Sequence, residues 1–451
     1  MEPSSPPSPS TLPEEAPASR SRFSPAFRRN FTLGVLNGIL FNISDSLIST
    51  NLVLPGLIRL LGGGNVLVAT LPAIDVGGWL LPQLLVGAKV QGRPRQLPTY
   101  QVSAVLRSVF FAGLVVAIAL VGRIAPGVAL AAFFLLYSLY GLGAGIAGVP
   151  FQEVVAKTIP PDRRGAYFGL RQIGGGVFTL AVVSWVVRMV LQEGSRLSFP
   201  HNYALLFGLA FLFAMAGLVS FGLVVEPAAP EAGVAGSLVA QLRRLPAMWR
   251  EQPDLRKFLV YKVFSRLAQV AEPFYVVYAV EVLGAPAALI GDYLAAITVV
   301  QLASYLVWSR LSDRQGNRLL LRWGSGLAAV APPLALFLPL LGQGLGLGVR
   351  ANAYLFGLVF VLSGLGNASL SIGIGNYVLE ALPGRDRPAG LGLINTITGV
   401  VSVLMILGGS LADVVGYRPL FWVAVATGIG SFLLSLPLLE PRKSISATHW
   451  P

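Results

Sequence analysis

Apolar runs of about 20 residues recur along the whole chain, and nothing else in the sequence restricts the fold as strongly. A helix that crosses the hydrocarbon core of a bilayer needs about 20 mostly apolar residues, because inside lipid each backbone polar group must be satisfied within its own segment. Twelve candidate spans meet that requirement, at about 31–54, 65–88, 100–122, 126–153, 166–190, 202–224, 257–281, 286–308, 319–341, 351–379, 389–411 and 417–438. Only 12% of the 451 residues are charged, about half the share of a soluble domain. The expected class is an all-α polytopic membrane protein with the lipid bilayer as its solvent.

The formal net charge of +13 does not point to nucleic acid. That reading needs basic residues gathered on one folded surface, whereas here they lie in short segments between apolar runs. Loops on one side carry Lys89, Arg93, Arg95, Lys157, Arg163, Arg164, Arg243, Arg244, Arg250, Arg310, Arg314, Arg318, Arg385 and Arg387. The other side has only Arg59, Arg123, Arg188, Arg196, Arg350 and Arg418. Positive charge in short loops stays cytoplasmic, so both termini are expected inside a cell membrane crossed many times. The chain has no cysteine, and its two histidines, His201 and His449, fall in a loop and in the C-terminal tail. With no nucleophile, metal cluster or phosphate loop in view, no catalytic role, cofactor or metal is assigned, and an enzyme is not expected.

Residues 1–26, rich in Pro, Ser and Glu, read as a disordered cytoplasmic tail, and 441–451 as a second tail. Between them, residues 27–224 and 257–440 form two groups of six spans, joined by a cytoplasmic loop at 225–256. That loop begins as a flexible linker and continues with an amphipathic stripe of Leu238, Leu242, Leu245 and Trp249. A shift of 223 positions aligns residues 140–172 with the stretch starting near 363. It matches Gly141 with Gly364, Pro160 with Pro383, Arg164 with Arg387 and Gly169 with Gly392. Two pseudo-symmetric halves of like orientation follow from such a parallel repeat. Gly141, Gly145 and Gly148 share one helix face, where small residues let helices approach closely.

The loop between the eighth and ninth spans reads Leu311-x-Asp313-Arg314-x-Gly316-x-Arg318. It resembles the signature loop of the major facilitator superfamily, with Ser309 where that pattern usually has Gly. "IPPDRRGAYFG" after the fourth span and "LADVVGYRPLF" after the eleventh are similar to further loops of the family. The first-half counterpart, "VGAKVQGRPRQ", has Lys89 or Val90 where the Asp belongs. The resemblance implies the family's twelve-helix fold and a solute moved by two halves that rock about a central site. It also implies a conformational latch at Asp313, Arg314, Gly316 and Arg318, with Asp313 facing the start of the fifth span near Gly165.

Charges at mid-bilayer cost about 2.5–3.5 kcal/mol each on insertion scales, so they are candidates for function. Asp45 lies on a face with Gly34, Gly38, Phe41 and Ser49, and Asp75 stands at similar depth ahead of Trp79 and Gln83. Lys262, Arg266, Gln269 and Glu272 fall within one arc of the seventh span, and Pro273 should kink it. Lys262 is close enough to the cytoplasmic end to snorkel. Asp45, Asp75, Arg266, Gln269 and Glu272 are therefore the candidates for substrate or proton coupling, with either aspartate as proton carrier. Glu153 and Arg171 lie equally far from the 160–164 loop and are expected to pair near the cytoplasmic mouth, with Asn376 and Asn395 as amide counterparts in the second half. The expected function is proton-coupled secondary transport of a small solute, by symport or efflux, in a monomer. The alternative is a non-transporting protein of the same fold, such as an assembly or pigment-delivery factor.

Overall fold

A computed structural model describes residues 25–90, 93–228, 250–381 and 387–440. Residues 1–24, the C-terminal tail, the 238–249 stripe and Gly92 lie outside the described residues, while Pro25 and Ala26 of the expected N-terminal tail open the first helix. Helices dominate, and the only extended pairing among the described residues is a bridge from Val121 to Ile124. Ten helical stretches are long and apolar enough to cross a membrane, as befits a multi-pass membrane protein. The expected spans at 31–54 and 257–281 are helical but fall outside those ten. The first is diluted by Asn37, Asn42 and Asp45, and the second is broken in the middle.

Helix α1 (Pro25–Leu47) ends earlier than the hydropathy suggested. The carbonyl of Ser49 there accepts from the backbone N–H groups of Leu52, Val53 and Leu54. Pro55 then opens the short α2 (Leu54–Leu60), since a missing N–H is harmless in a first turn. α3 (Asn65–Val90), α4 (Leu97–Ala119), α5 (Pro126–Thr158) and α6 (Pro161–Phe178) follow. A π turn at Thr179–Val183 leads into α7 (Ser184–Leu191), and α8 (His201–Gly222) closes the first run. The second run opens with α9 (Pro253–Leu267), a 3-10 turn at Ala268–Ala271 and α10 (Glu272–Glu281). The kink expected from Pro273 is this turn, with the proline seated at the start of α10. α11 (Leu289–Gln315), α12 (Asn317–Gly344), α13 (Val349–Ala381), α14 (Arg387–Leu404), α15 (Ile406–Val415) and α16 (Tyr417–Ser435) complete the chain.

The repeat seen in the sequence recurs in the helices. α5 and α13 both have 33 residues and are offset by 223 at each end (349 − 126 and 381 − 158). α5 packs on α3 and α4, and α8 on α1 and α4. In the same pattern α13 packs on α11 and α12, and α16 on α9 and α12. The runs meet where α3 lies against α14 and α15, α7 against α11, and α2 against α10. The glycine face of α5 sits against α3, and a Cβ on Gly145 would collide with the Gly78 carbonyl and stand 2.8 Å from Pro82.

Single glycines at positive φ make two of the tightest turns. Gly316 (φ 90) joins α11 to α12, and Gly416 (φ 85) joins α15 to α16. Side chains with a Cβ are strained there. A carboxylate just beyond the last helix of each run closes the start of a neighbouring helix. Glu226 accepts from the N–H groups of Gln96 (2.8 Å) and Leu97 (2.7 Å) at the start of α4, and from Lys157 Nζ at 2.7 Å. Glu440 accepts from the Arg318 N–H at the start of α12, at 2.9 Å. Unpaired N–H groups and the positive end of the helix dipole favour a carboxylate at such positions.

Candidate functional site

Helix order defines two faces. The terminal face holds Pro25, the α5–α6 turn, Pro253 and Gly316, and the distal face holds α2, the end of α10 and Gly416. Charges close the distal face across the two runs. Arg59 Nε of α2 stands 2.8 Å from Glu281 Oε1 of α10. Arg59 Nη2 donates to Tyr417 Oη at 2.9 Å and also to Asn65 Oδ1, while Tyr417 Oη donates to Glu281 Oε2 at 2.8 Å. Asp413 accepts from the N–H groups of Asn65 (3.1 Å) and Val66 (3.3 Å). On the far side of the same face, Arg188 of α7 donates to Asp292 of α11 at 2.7 Å, and Tyr354 adds a hydrogen bond to Asp292 at 3.1 Å. The backbones are close here too, since a Cβ on Gly409 would strike the Asn65 carbonyl.

Beneath this closure, α1, α3, α4 and α5 surround a cavity of about 480 Å³. Asp45 and Asp75 both open into it, so the structure brings these two expected residues to one site. Neither forms an ion pair among the described residues. The Thr50 hydroxyl faces Asp75 and shares a 3.1 Å hydrogen bond with Tyr137. Arg107, which the sequence reading passed over, is buried in the wall. Its Nη2 donates to Tyr140 Oη at 3.0 Å, and its guanidinium lies 4.8 Å from the ring centres of Phe41 and Tyr140. The signal was present as a lone arginine inside an apolar span. Asp45 also borders a second cavity of about 260 Å³, between the runs, opposite Glu272.

The polar residues of the broken span form a ladder rather than an ion pair. Arg266 donates from Nε to Ser402 Oγ at 2.9 Å and from Nη1 to Gln269 Oε1 at 2.6 Å. Gln269 donates to Asn367 Oδ1 at 3.0 Å, and Asn367 donates to Glu272 Oε1 at 2.8 Å. Asn51, from the opposite run, donates to Glu272 Oε2 at 3.2 Å. Two amides thus separate the positive end from the negative one. The 3-10 turn is the reason, because it carries Glu272 to the distal side while Arg266 and Lys262 remain at a larger cavity of about 700 Å³ toward the terminal face.

The expected pairing of Glu153 with Arg171 is not formed. Arg171 turns toward α1, where its Nη1 donates to the Gly34 carbonyl and to Asn37 Oδ1 at 3.0 Å. Its guanidinium rests 5.0 Å from the centre of the Phe151 ring. Glu153 lies two residues from Phe151, about 200° round the helix, and is exposed. The amide counterparts are also apart: Asn376 donates to Ser312 Oγ, whereas Asn395 reaches Gln83 of the other run, each at 3.3 Å. At the signature loop, Asp313, Arg314, Gly316 and Arg318 line a recess with Glu440, and among the described residues nothing beyond its own stretch of helix lies within 4 Å of where a Cβ on Gly165 would stand.

Two similarly packed runs of membrane helices with polar cavities within and between them define a pseudo-symmetric class of all-α membrane folds. A family model for the Major Facilitator Superfamily matches residues 258–450. A D-xylose-proton symporter superposes with a TM-score of 0.68 over 92% of this chain and 99% of its own, at 16% identity. A POT family transporter in complex with 5-aminolevulinic acid gives 0.67 over 92% and 96%, at 13% identity. A bacterial homologue of the iron transporter ferroportin, in an inward-facing state, gives 0.63 over 91% and 98%, at 16% identity. No curated protein sequence matches. Residues 258–450 thus resemble the major facilitator superfamily in sequence, and the chain as a whole shares the fold of these transporters.

Proposed function

We propose that the chain is a secondary active transporter of a small solute, coupled to protons and working by alternating access as a monomer in the cell membrane. Residues 27–224 and 257–440 are its two moving halves, the terminal face is cytoplasmic, and the conformation described is open toward that face. The observation that carries this reading is the vertical order of features. A charge-bridged distal closure stands above Asp45 and Asp75, two carboxylates that form no ion pair among the described residues, and these stand above a cavity of about 700 Å³ between the halves. Charges are kept at such depth where they face a cavity and a solute or proton path. Asp45 or Asp75 takes up the proton, while Arg266, Gln269 and Glu272 poise the solute site. The neighbouring loop Asp313, Arg314, Gly316 and Arg318 acts as a latch in the opposite conformation, when the terminal face closes and α6 comes within reach.

The test uses proteoliposomes that enclose a pH-sensitive dye under an imposed proton gradient and are challenged with pooled small solutes. A solute-evoked proton flux that disappears in Asp45→Asn or Asp75→Asn is expected. A flux unchanged in both variants removes the carboxylates from the scheme. No solute-evoked flux from any pool favours the non-transporting alternative.

A further inference from the structure

The cavity of about 700 Å³ carries a charge imbalance that the transport reading does not explain. Arg164, Lys262 and Arg266 line it, and no carboxylate is among its lining residues. Arg164 is occupied, donating to the carbonyls of Ala156 (2.9 Å) and Ile159 (3.1 Å). Arg266 uses Nε and Nη1 in the polar ladder, but its Nη2 is buried without a partner. Lys262 lies one helical turn away on the same face of α9, in the field of Arg266. Like charges at that spacing repel one another. Glu272 and Asp75 lie within the electrostatic range of Arg266, but neither forms a hydrogen bond or ion pair with it or with Lys262 among the described residues. Both oxygens of Glu272 are held by Asn367 and Asn51, and Asp75 faces the other cavity. The remaining wall includes the rings of Trp79 and Phe151.

We propose that the solute is an organic anion whose carboxylate, phosphonate or phosphate docks between Lys262 and Arg266, with its apolar body against Trp79 and Phe151. This rests on the transporter reading and gives its solute site a chemical class. A guanidinium with a free N–H edge matches the planar or tetrahedral oxygens of such groups, and lysine adds a mobile second donor. The bound anion separates two cations that otherwise face one another, and it satisfies the orphaned Nη2, whose burial without a partner is unfavourable. A volume near 700 Å³ suits a small drug-sized molecule. Movement of one singly charged anion together with one proton on Asp45 or Asp75 leaves the net charge of the loaded protein equal to that of the empty one.

The test compares four probes with a common phenyl body by thermal stability of the purified full-length protein: phenylacetate, benzylphosphonate, 2-phenylethylamine and 2-phenylethanol. At least one of the two anions is expected to raise the melting temperature with saturation, while the amine and the alcohol do not. Arg266→Gln and Lys262→Gln are each expected to weaken that anion about 10- to 100-fold. Arg266→Lys is expected to recover part of the loss, which a merely misfolded site would not do. Stabilisation by the amine instead, no stabilisation by either anion, or an anion response unchanged in both glutamine variants overturns the proposal. So does an Arg266-dependent response to phosphatidylglycerol but to neither soluble anion, since the ligand is then a lipid. Anions that bind but are not moved in proteoliposomes contradict the transport reading and leave the subsite standing. A proton flux evoked only by amines or neutral solutes contradicts the subsite and leaves transport standing.

Discussion

The distal and terminal faces of this molecule are held by different physics. Across the distal face the two runs are joined by charged groups, Arg59 with Glu281 and Arg188 with Asp292, and by tyrosine hydroxyls that link them. Near the terminal face, the described residues include strong contacts within a run, Glu226 with Lys157 and Glu440 with Arg318, and a 3.3 Å amide contact from Asn395 to Gln83 between the runs. Hydrogen-bonded charges are directional and are lost as a unit, whereas toward the terminal face a cavity of about 700 Å³ lies between the runs. On the proposed transport cycle, the distal contacts would set the balance between conformations, and the Glu226 and Glu440 contacts the integrity of each run.

That division can be broken in graded steps. The largest expected effect is Glu226→Ala, which strands Lys157 and the first N–H groups of α4 and should cost about 3–5 kcal/mol of stability. It should leave the accessibility of the distal face unchanged, and a denaturation series read beside labelling checks both halves of that statement. The chain has no cysteine of its own, so Ser49→Cys, in the cavity beside Glu272, is a clean reporter for a membrane-impermeant maleimide added from the distal side. Next in size, Arg59→Gln should shift the population toward distal opening by about 1.5–3 kcal/mol and raise labelling of that reporter roughly 10- to 100-fold. Asp292→Asn should act in the same direction by less than about 1 kcal/mol, because it weakens one partly solvated pair, whereas Arg59→Gln also removes hydrogen bonds to Tyr417 and Asn65. The smallest effect belongs to Asn395→Leu, at about 0.5 kcal/mol. Labelling that responds more to Asn395→Leu than to Arg59→Gln would reverse the assignment of the two faces.

Much of the fold was legible because lipid leaves so few solutions. Span length, the one-sided basic loops and the 223-residue shift together implied paired runs of helices, and the identical lengths of α5 and α13 match that shift. Asp45 and Asp75 stood out as carboxylates at similar depth in neighbouring spans, and they open into one cavity. The distal closure was not legible, since Arg59 and Glu281 are far apart in sequence and an isolated outer arginine looks like an exception to a topology rule. Arg171 was misjudged because equal distance from a loop fixes depth but not azimuth, and the Phe151 side of α5 faces away from Glu153. The Glu-Pro pairs at 226 and 440 repeat in the sequence, but the role of each carboxylate at a helix start depends on packing between helices remote along the chain.

The central proposal is that the two faces open in alternation around the cavity-lining carboxylates Asp45 and Asp75. Spin labels at Leu60→Cys with Val282→Cys report the distal face, and labels at Phe168→Cys with Gln315→Cys report the terminal face. Electron–electron distance measurements on both pairs, in acid and in alkaline buffer, test the claim most directly. The account predicts reciprocal change, the distal distance lengthening as the terminal one shortens, with the response to pH lost when Asp45→Asn and Asp75→Asn are combined. Distances that stay fixed at both faces, or that lengthen together, would contradict it.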